Sequence, residues 1–264
     1  APVTPAGFGS AIVGASSNPE PPMRLTDFKI LTFDCYGTLI DWEAGILAAL
    51  RPLLGKLGGK VDDGRALEVF AQHESAIEAA EPALNYRKLL AKTYRALAAE
   101  WGAPITDADA ERFGNSVPDW PAFADSAASL AYLKQHYKLV ILSNIDRASF
   151  AESNKRLGVT FDAVCTAEDV GSYKPDRRNF DFMLRTVKEK LGALPGAILH
   201  TAQSLFHDHR TAKAMGLATN WIDRRMGKAG GGATKPVAGI ATDFHFPSMA
   251  AFVEAHKQEQ AHKG

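Results

Sequence analysis

Apolar residues along this chain recur with two different periods, and the change between them divides the chain. Residues 30–33 form a short apolar and β-branched run, which predicts a buried strand. From residue 41 to about residue 121, apolar residues recur every three or four positions without a strand-like run, which predicts helices only. Beyond residue 126, strand-like and helical segments alternate. This alternation is typical of βαβ units with right-handed crossovers and a mainly parallel sheet.

The same pattern predicts the position of each element. Helices are predicted at residues 41–57, 66–80, 86–101, 107–115, 126–136, 147–157, 177–191, 207–215 and 247–256. Strands are predicted at residues 30–33, 138–142, 161–166, 197–201 and 218–222. We therefore predict an α/β fold, in which a doubly wound, mainly parallel, Rossmann-like sheet carries an inserted all-helical cap.

The predicted elements also suggest domain boundaries. Residues 23–45 and 122–256 are predicted to form the α/β core domain, and residues 46–121 the helical cap domain. Residues 1–22 are rich in Ala, Pro, Gly and Ser without a helical or strand period, so we expect a disordered extension, whether native or not. Residues 257–264 are expected to form a frayed tail.

Composition narrows the class of protein. Thirty basic and thirty acidic residues cancel, so nothing favours nucleic acid or an anionic membrane as a partner. No apolar run is long enough to span a bilayer. Cys35 and Cys165 lie in or beside predicted strands and are interpreted as buried free thiols in a reducing compartment. We expect a cytoplasmic protein, and the sequence does not decide between monomer and homodimer.

Polar side chains follow the predicted strands where each strand ends. Asp34 follows the first strand, Ser143 and Asn144 the second, Lys174 the loop after the third, and Asp208 the fourth. Parallel strands end at one edge of a sheet, so these side chains are expected to converge there. A carboxylate nucleophile needs a cation that keeps it ionised, donors for the substrate and a dry pocket. The residues alone leave open that the first aspartate and the Ser-Asn pair only cap helices.

These residues, in this order, resemble the four motifs of the haloacid dehalogenase superfamily. The motifs are Asp34-Cys35-Tyr36-Gly37-Thr38, Ser143-Asn144, Lys174-Pro175-Asp176 and Asp208. The helical insertion falls between the first and second motifs, where this superfamily carries its cap, and the resemblance covers about residues 25–255. It implies an aspartate nucleophile at the carboxyl edge of the sheet.

Two positions indicate the branch of the superfamily. Its phosphatases carry a second acid two residues after the nucleophile and another in the fourth motif for magnesium, where this chain has Tyr36 and Ser204. In this respect the chain resembles the L-2-haloacid dehalogenases, which use no metal. The resemblance implies a hydrolase acting on carbon–halogen bonds, without metal or cofactor. It would convert short 2-haloalkanoic acids to 2-hydroxy acids through an aspartyl ester.

The resemblance also implies roles for individual residues. Asp34 would be the nucleophile, Thr38 and Lys174 would hold its carboxylate, and Asp208 would position the hydrolytic water. Ser143 and Asn144 would bind the carboxylate and halide of the substrate. Further substrate contacts are expected from side chains of the pocket and the cap, namely Tyr36, His73, Phe180 and His207.

One departure from the family concerns the cap. The arginine that clamps halide in these dehalogenases has no counterpart near Phe70-Ala71, and nothing in the sequence places Arg65 or Arg87 in its stead. A different substrate therefore stays open. So do two rival functions: a magnesium-dependent phosphatase that uses Asp34 and Asp208, and a catalytically silent binding or oligomerisation module.

Overall fold

The computed structural model describes residues 22–227, 233 and 237–262, so the expected disordered extension lies almost wholly outside the described residues. The described strands are β1 (Ile30–Phe33), β2 (Lys138–Ser143), β3 (Ala163–Thr166), β4 (Ile198–Ala202), β5 (Ala218–Ile222) and β6 (Phe244–Phe246). The described α-helices are α1 (Trp42–Lys56), α2 (Asp63–Ala80), α3 (Tyr86–Glu100), α4 (Asp107–Gly114), α5 (Ser126–Leu133), α6 (Arg147–Leu157), α7 (Ala167–Val170), α8 (Arg177–Leu191), α9 (Arg210–Ala214) and α10 (Met249–Ala261).

The six strands form one sheet in the order β3-β2-β1-β4-β5-β6, and every pairing is parallel. The predicted parallel α/β fold is confirmed. At the centre of the sheet, Phe33 on β1 pairs in register with Ile141 on β2 and with Thr201 on β4. The order of the strands reverses between β1 and β4, and such a reversal opens a crevice at the carboxyl ends of the strands.

Helices cover both faces of the sheet. All four residues of β1 are buried, as predicted for a central strand. Ile30 belongs to one apolar core with Phe180 and Met183 of α8, whereas Leu31 and Phe33 belong to the other core. Successive side chains of a strand point to opposite faces, so this division shows that the sheet is doubly wound.

The segment between β1 and β2 is helical, as predicted, and contains α1 to α5. Ring contacts join its helices: Phe113 of α4 packs against Phe70 of α2 and Tyr94 of α3, with ring centroids 6.2 and 5.1 Å apart. The division of the chain into a core and a cap stays a prediction. The predicted boundary at residue 46 falls inside α1.

Two features of the carboxyl-terminal part differ from the prediction. Strand β6 was not predicted, since its three residues are too short to show a period. Helix α10 continues to Ala261, so residues 257–261 of the expected frayed tail are helical. Glu259 in its last turn accepts the backbone N–H groups of Leu25 at 3.1 Å and Thr26 at 3.0 Å. This long-range contact ties down a turn that would otherwise fray.

Cys35 and Cys165 are both buried and free, as predicted. None of the helices in the described ranges combines the length and the apolar character that a bilayer crossing requires.

Candidate active site

The turn after β1 holds Asp34 and Thr38 together. Asp34 directly follows the strand and is 5% exposed. Gly37 adopts φ +90°, which other residues rarely do, and a Cβ there would lie 3.0 Å from Nε1 of Trp42. The turn lets the Thr38 hydroxyl donate to Oδ2 of Asp34 at 3.0 Å, and the same hydroxyl oxygen accepts the backbone N–H of Gln203 at 2.9 Å. The Thr38 hydroxyl therefore holds one oxygen of the Asp34 carboxylate.

Lys174 places a buried ammonium between two carboxylates. Its Nζ donates to Oδ1 of Asp34 at 2.9 Å, to Oδ1 of Asp208 at 2.6 Å and to the carbonyl oxygen of Leu142 at 3.0 Å. An ammonium has three donors, so all three are used. The side chain is only 1% exposed. Both carboxylates are therefore neutralised by one cation shielded from water.

Burial and neighbouring charges set the ionisation of these three groups. Burial raises the pKa of Asp34 even though the ammonium of Lys174 opposes that effect. Burial would also raise the pKa of Asp208, but Lys174 and His200 hold it below its usual range. For Lys174, burial would lower the pKa, but Asp208 and Asp34 raise it above its usual value. The lysine therefore stays charged, and Asp34 is the more basic carboxylate.

Asp208 lies in a π-helical turn (Leu205–His209) that follows β4. His200 Nε2 lies 3.0 Å from Oδ1 of Asp208, and His200 Nδ1 lies 2.8 Å from the hydroxyl of Thr32. If the threonine hydroxyl donates, His200 donates its Nε2 proton to Asp208 and so orients it. His200 was not among the predicted site residues, although a polar residue inside an otherwise apolar buried strand is a detectable signal.

Asn144 contacts the protein rather than facing only the cavity. Its Oδ1 accepts the backbone N–H of Lys174 at 2.6 Å, and its Nδ2 donates to the backbone carbonyl of Lys174 at 3.0 Å. The amide therefore clamps the loop that carries the lysine. By contrast, Ser143 Oγ and Asp208 Oδ2 are buried and have no hydrogen-bond partner within the described part of the chain. Both residues line the same cavity, and each keeps one polar atom without a partner in the described part of the chain.

A small cavity lies at the carboxyl edge of the sheet. It leaves about 40 Å³ for the centres of water-sized molecules, which corresponds to a ligand of a few heavy atoms. The described residues that line it are Asp34, Tyr36, Trp42, Glu74, Glu78, Tyr86, Ser143, Asn144, Lys174, Gln203, Ser204, His207 and Asp208. The structure thus brings together most of the predicted site, including Tyr36 and His207.

The structure places two predicted substrate contacts away from the cavity. His73 does not line the cavity, and its Nε2 lies 2.6 Å from a carboxylate oxygen of Glu100 at the surface. Phe180 is buried in the core on one face of the sheet, where its ring packs on His200 with centroids 5.2 Å apart. The sequence gives spacing along a helix, but it does not give the rotation of the helix about its axis, which decides the side that faces the site.

Neither Arg65 nor Arg87 lines the cavity. Arg65 lies 3.6 Å from Glu68 and 3.9 Å from Glu100 at the surface. Arg87 donates from Nε to the hydroxyl of Ser149 at 3.0 Å. Among the lining residues that the structure describes, Lys174 is the one lysine or arginine.

Helix α2 instead contributes two glutamates, Glu74 and Glu78, which were not among the predicted site residues. They are 4% and 8% exposed. The signal was present: they continue, at intervals of four residues, the buried stripe of Ala66 and Phe70. The hydroxyl of Tyr86 donates to Oε1 of Glu74 at 2.7 Å. Burial raises the pKa of Glu74 to about 7 and raises the pKa of Glu78 well above its usual value.

The arrangement of the side chains in and around the cavity also bears on whether the protein could hold a metal ion. Over the described ranges, no three or more His, Cys, Asp or Glu side chains are grouped so that they could hold a metal ion. Lys174 lies between Asp34 and Asp208, which are the two carboxylates best placed for that purpose. The position that would supply a further carboxylate in the fourth motif is occupied by Ser204.

Known proteins resemble this chain in sequence and in fold. Residues 28–200, more than half of the chain, match the haloacid dehalogenase-like hydrolases. The (S)-2-haloacid dehalogenase of Pseudomonas putida is 25% identical over 202 residues, covering 75% of this chain and 85% of that protein. The L-2-haloacid dehalogenase of Xanthobacter autotrophicus superposes with a TM-score of 0.70 at 19% identity, covering 87% of this chain and 98% of that chain.

A solved structure that contains magnesium also shares the fold of this chain. The HAD-hydrolase YfnB from Bacillus subtilis, bound to magnesium, superposes with a TM-score of 0.68 at 18% identity, covering 87% of this chain and 99% of that chain. At such low identities the superpositions show a common fold, and the match over residues 28–200 shows the family. This chain belongs to the haloacid dehalogenase-like hydrolases.

Proposed function

We propose that this hydrolase removes halide from short 2-haloalkanoic acids, through an ester on Asp34 and without a metal. The observation that carries the proposal is the buried Lys174 ammonium, bonded to both Asp34 and Asp208 beside a cavity of small volume. A cation at this position keeps Asp34 ionised and oriented although burial makes the carboxylate more basic. A basic, desolvated carboxylate is a suitable nucleophile.

In the first step, an oxygen of Asp34 attacks the carbon that bears the halogen. The new carbon–oxygen bond forms as the carbon–halogen bond breaks, and halide leaves with the bonding electron pair. The leaving group takes no proton, so no general acid is needed. Tyr36, which stands where a phosphatase would carry an acid, lines the cavity and is bonded through its hydroxyl to Ser153 at 2.8 Å.

In the second step, water attacks the carbonyl carbon of the Asp34 ester. The 2-hydroxy acid leaves with the original Asp34 oxygen, the carboxylate is restored with an oxygen from water, and one proton is released. Oδ2 of Asp208, buried and without a partner in the described part of the chain, is the acceptor that would orient this water. Its lowered pKa suits a positioning role more than that of a strong base.

Metal independence rests on the same geometry. A divalent ion between Asp34 and Asp208 would have to displace an ammonium that donates to both. The lysine thus supplies the positive charge at this point. Tyr36 and Ser204 stand where phosphatases of the superfamily carry carboxylates, and neither side chain is a carboxylate ligand of the kind that magnesium prefers.

We expect the protein to release halide from chloroacetate, bromoacetate or one enantiomer of 2-chloropropionate, at a rate that EDTA does not change. Ion chromatography would measure halide, and added magnesium would serve as the comparison. Phosphate release from small monoesters that requires magnesium, together with no halide release, would contradict the proposal and favour a phosphatase.

A further inference from the structure

Four carboxyl groups line the cavity that contains the nucleophile. Glu74 and Glu78 lie one helical turn apart on α2, and both line the cavity with Asp34 and Asp208. Against these four carboxyl groups, the described lining offers one lysine. A 2-haloalkanoic acid is an anion at neutral pH, so a fully ionised cavity would repel it. The proposed substrate and the observed lining are compatible only if part of the lining is protonated.

The surroundings of the pair favour protonation. Both side chains are almost wholly buried, and two like charges at this spacing in a desolvated site do not both stay ionised. Burial raises the pKa of Glu74 to about 7, and burial and Glu74 raise that of Glu78 well above its usual value. The pair therefore retains protons at a pH where ordinary glutamates are ionised.

Groups from several elements face the pair. Tyr86 of α3 donates to Glu74, and Asn144 after β2 donates to Oε1 of Glu78 at 3.3 Å. His207 Nε2 lies 3.7 Å from Oε2 of Glu78. The other titratable groups that act on or share the cavity with the pair are Asp34, Tyr36, Tyr173, Lys174 and Asp208. Of these, Lys174 is committed to Asp34 and Asp208, so it does not neutralise the glutamates.

We propose that Glu74 and Glu78, in their protonated form, donate hydrogen bonds to the carboxylate of the substrate and so occupy the functional place of a cap arginine. This proposal rests on the proposed function, and it concerns how the same site binds the carboxylate of its substrate. A carboxylic acid is a strong donor to a carboxylate. The buried hydroxyl of Ser143, which has no partner in the described part of the chain, provides a further donor in the same cavity.

A proton requirement has a measurable consequence for binding. When an anion binds only to the protonated pair, its affinity falls as pH rises above the pKa of the pair, by about tenfold per pH unit for one linked proton. Below that pKa the affinity is constant. A raised pKa near 7 places the change within an accessible range. A neutral ligand of the same shape does not show this dependence.

The test uses propionate, which has the substrate carboxylate but no halogen, with the wild-type protein. Isothermal calorimetry between about pH 6 and about pH 9, in two buffers with different ionisation enthalpies, gives affinity and proton uptake together. We expect propionate affinity to fall at least about tenfold above pH 7, with up to one proton taken up per molecule bound. Propionamide, a neutral comparator, is expected to bind without this dependence.

Matched variants assign the effect to the pair. The double variant Glu74→Gln, Glu78→Gln keeps two side-chain donors that do not titrate. It is expected to bind propionate with pH-independent affinity and without proton uptake. Glu68→Gln makes the same change on the exposed side of α2 and is expected to behave like the wild type.

Three outcomes would overturn the proposal. The first is that the wild-type protein shows no detectable propionate binding, or binds propionate with an affinity that does not depend on pH. The second is that propionamide binds more tightly than propionate near pH 6. The third is that proton uptake persists in the double variant but is lost in His207→Gln. Binding is measured without turnover, so proton-linked binding of propionate in a protein that releases no halide would reject the proposed function while leaving this inference intact.

Discussion

We expect Asp34→Asn to lower the rate of halide release by at least about 1,000-fold. An amide has no ionised oxygen with which to attack carbon, so the ester cannot form by the proposed route. The hydroxyl of Thr38 still has an oxygen to donate to, which favours a folded protein. Halide release by ion chromatography under substrate saturation measures the effect, and thermal unfolding reports whether the fold is retained.

The matched control is Asp181→Asn. Asp181 lies on α8, and its side chain is 49% exposed and 3.4 Å from Arg177. It does not line the cavity. The same chemical change there is expected to leave halide release within about twofold of the wild-type rate. If Asp34→Asn kept a tenth or more of the activity, the carboxylate would not be the nucleophile, and direct attack by water would have to be considered.

The second large effect is expected from Lys174→Met. The methionine fills a similar volume but leaves the carboxylates of Asp34 and Asp208 buried without their cation, which costs about 3–5 kcal/mol of folding free energy. We expect halide release to fall at least about 1,000-fold, since the nucleophile loses both its orientation and the charge that keeps it ionised. Unfolding in urea and halide release would measure the two effects.

The pH profile separates catalysis from stability. Without the ammonium, the already raised pKa of Asp34 rises further, so more of the carboxylate is protonated at a given pH. The acidic limb of the residual activity is therefore expected to move to higher pH. Lys190→Met removes an exposed lysine of α8 and is expected to leave rate and profile unchanged. An unshifted acidic limb in Lys174→Met would mean that the lysine supports the fold only.

Much of the candidate site could be predicted because it lies where parallel strands end. Asp34 follows β1 directly, Ser143 ends β2 and Asp208 follows β4, so the topology brings them to one edge of the sheet. Lys174 lies in a loop, and its place was implied by the motif rather than by periodicity. Its contacts with both carboxylates agree with that expectation.

The side of α2 that faces the cavity was harder to predict. His73 and Glu74 are neighbours on α2, and only the packing of that helix decides that the glutamate lines the cavity while the histidine meets Glu100. Phe180 lies on the correct helix but packs into the core beside His200. Both positions depend on how the helices pack in the tertiary structure. The glutamate pair could nevertheless have been predicted, because Glu74 and Glu78 continue the four-residue spacing of the buried Ala66 and Phe70.

A single turnover in water enriched in oxygen-18 tests the ester on Asp34 most directly. With enzyme in excess over a 2-haloalkanoic acid, we expect the heavy oxygen to enter the carboxylate of Asp34, whereas the first 2-hydroxy acid formed carries ordinary oxygen. Mass spectrometry of the peptide that contains Asp34 and of the product gives both results. Heavy oxygen in the product of the first turnover, with none in Asp34, would contradict the account.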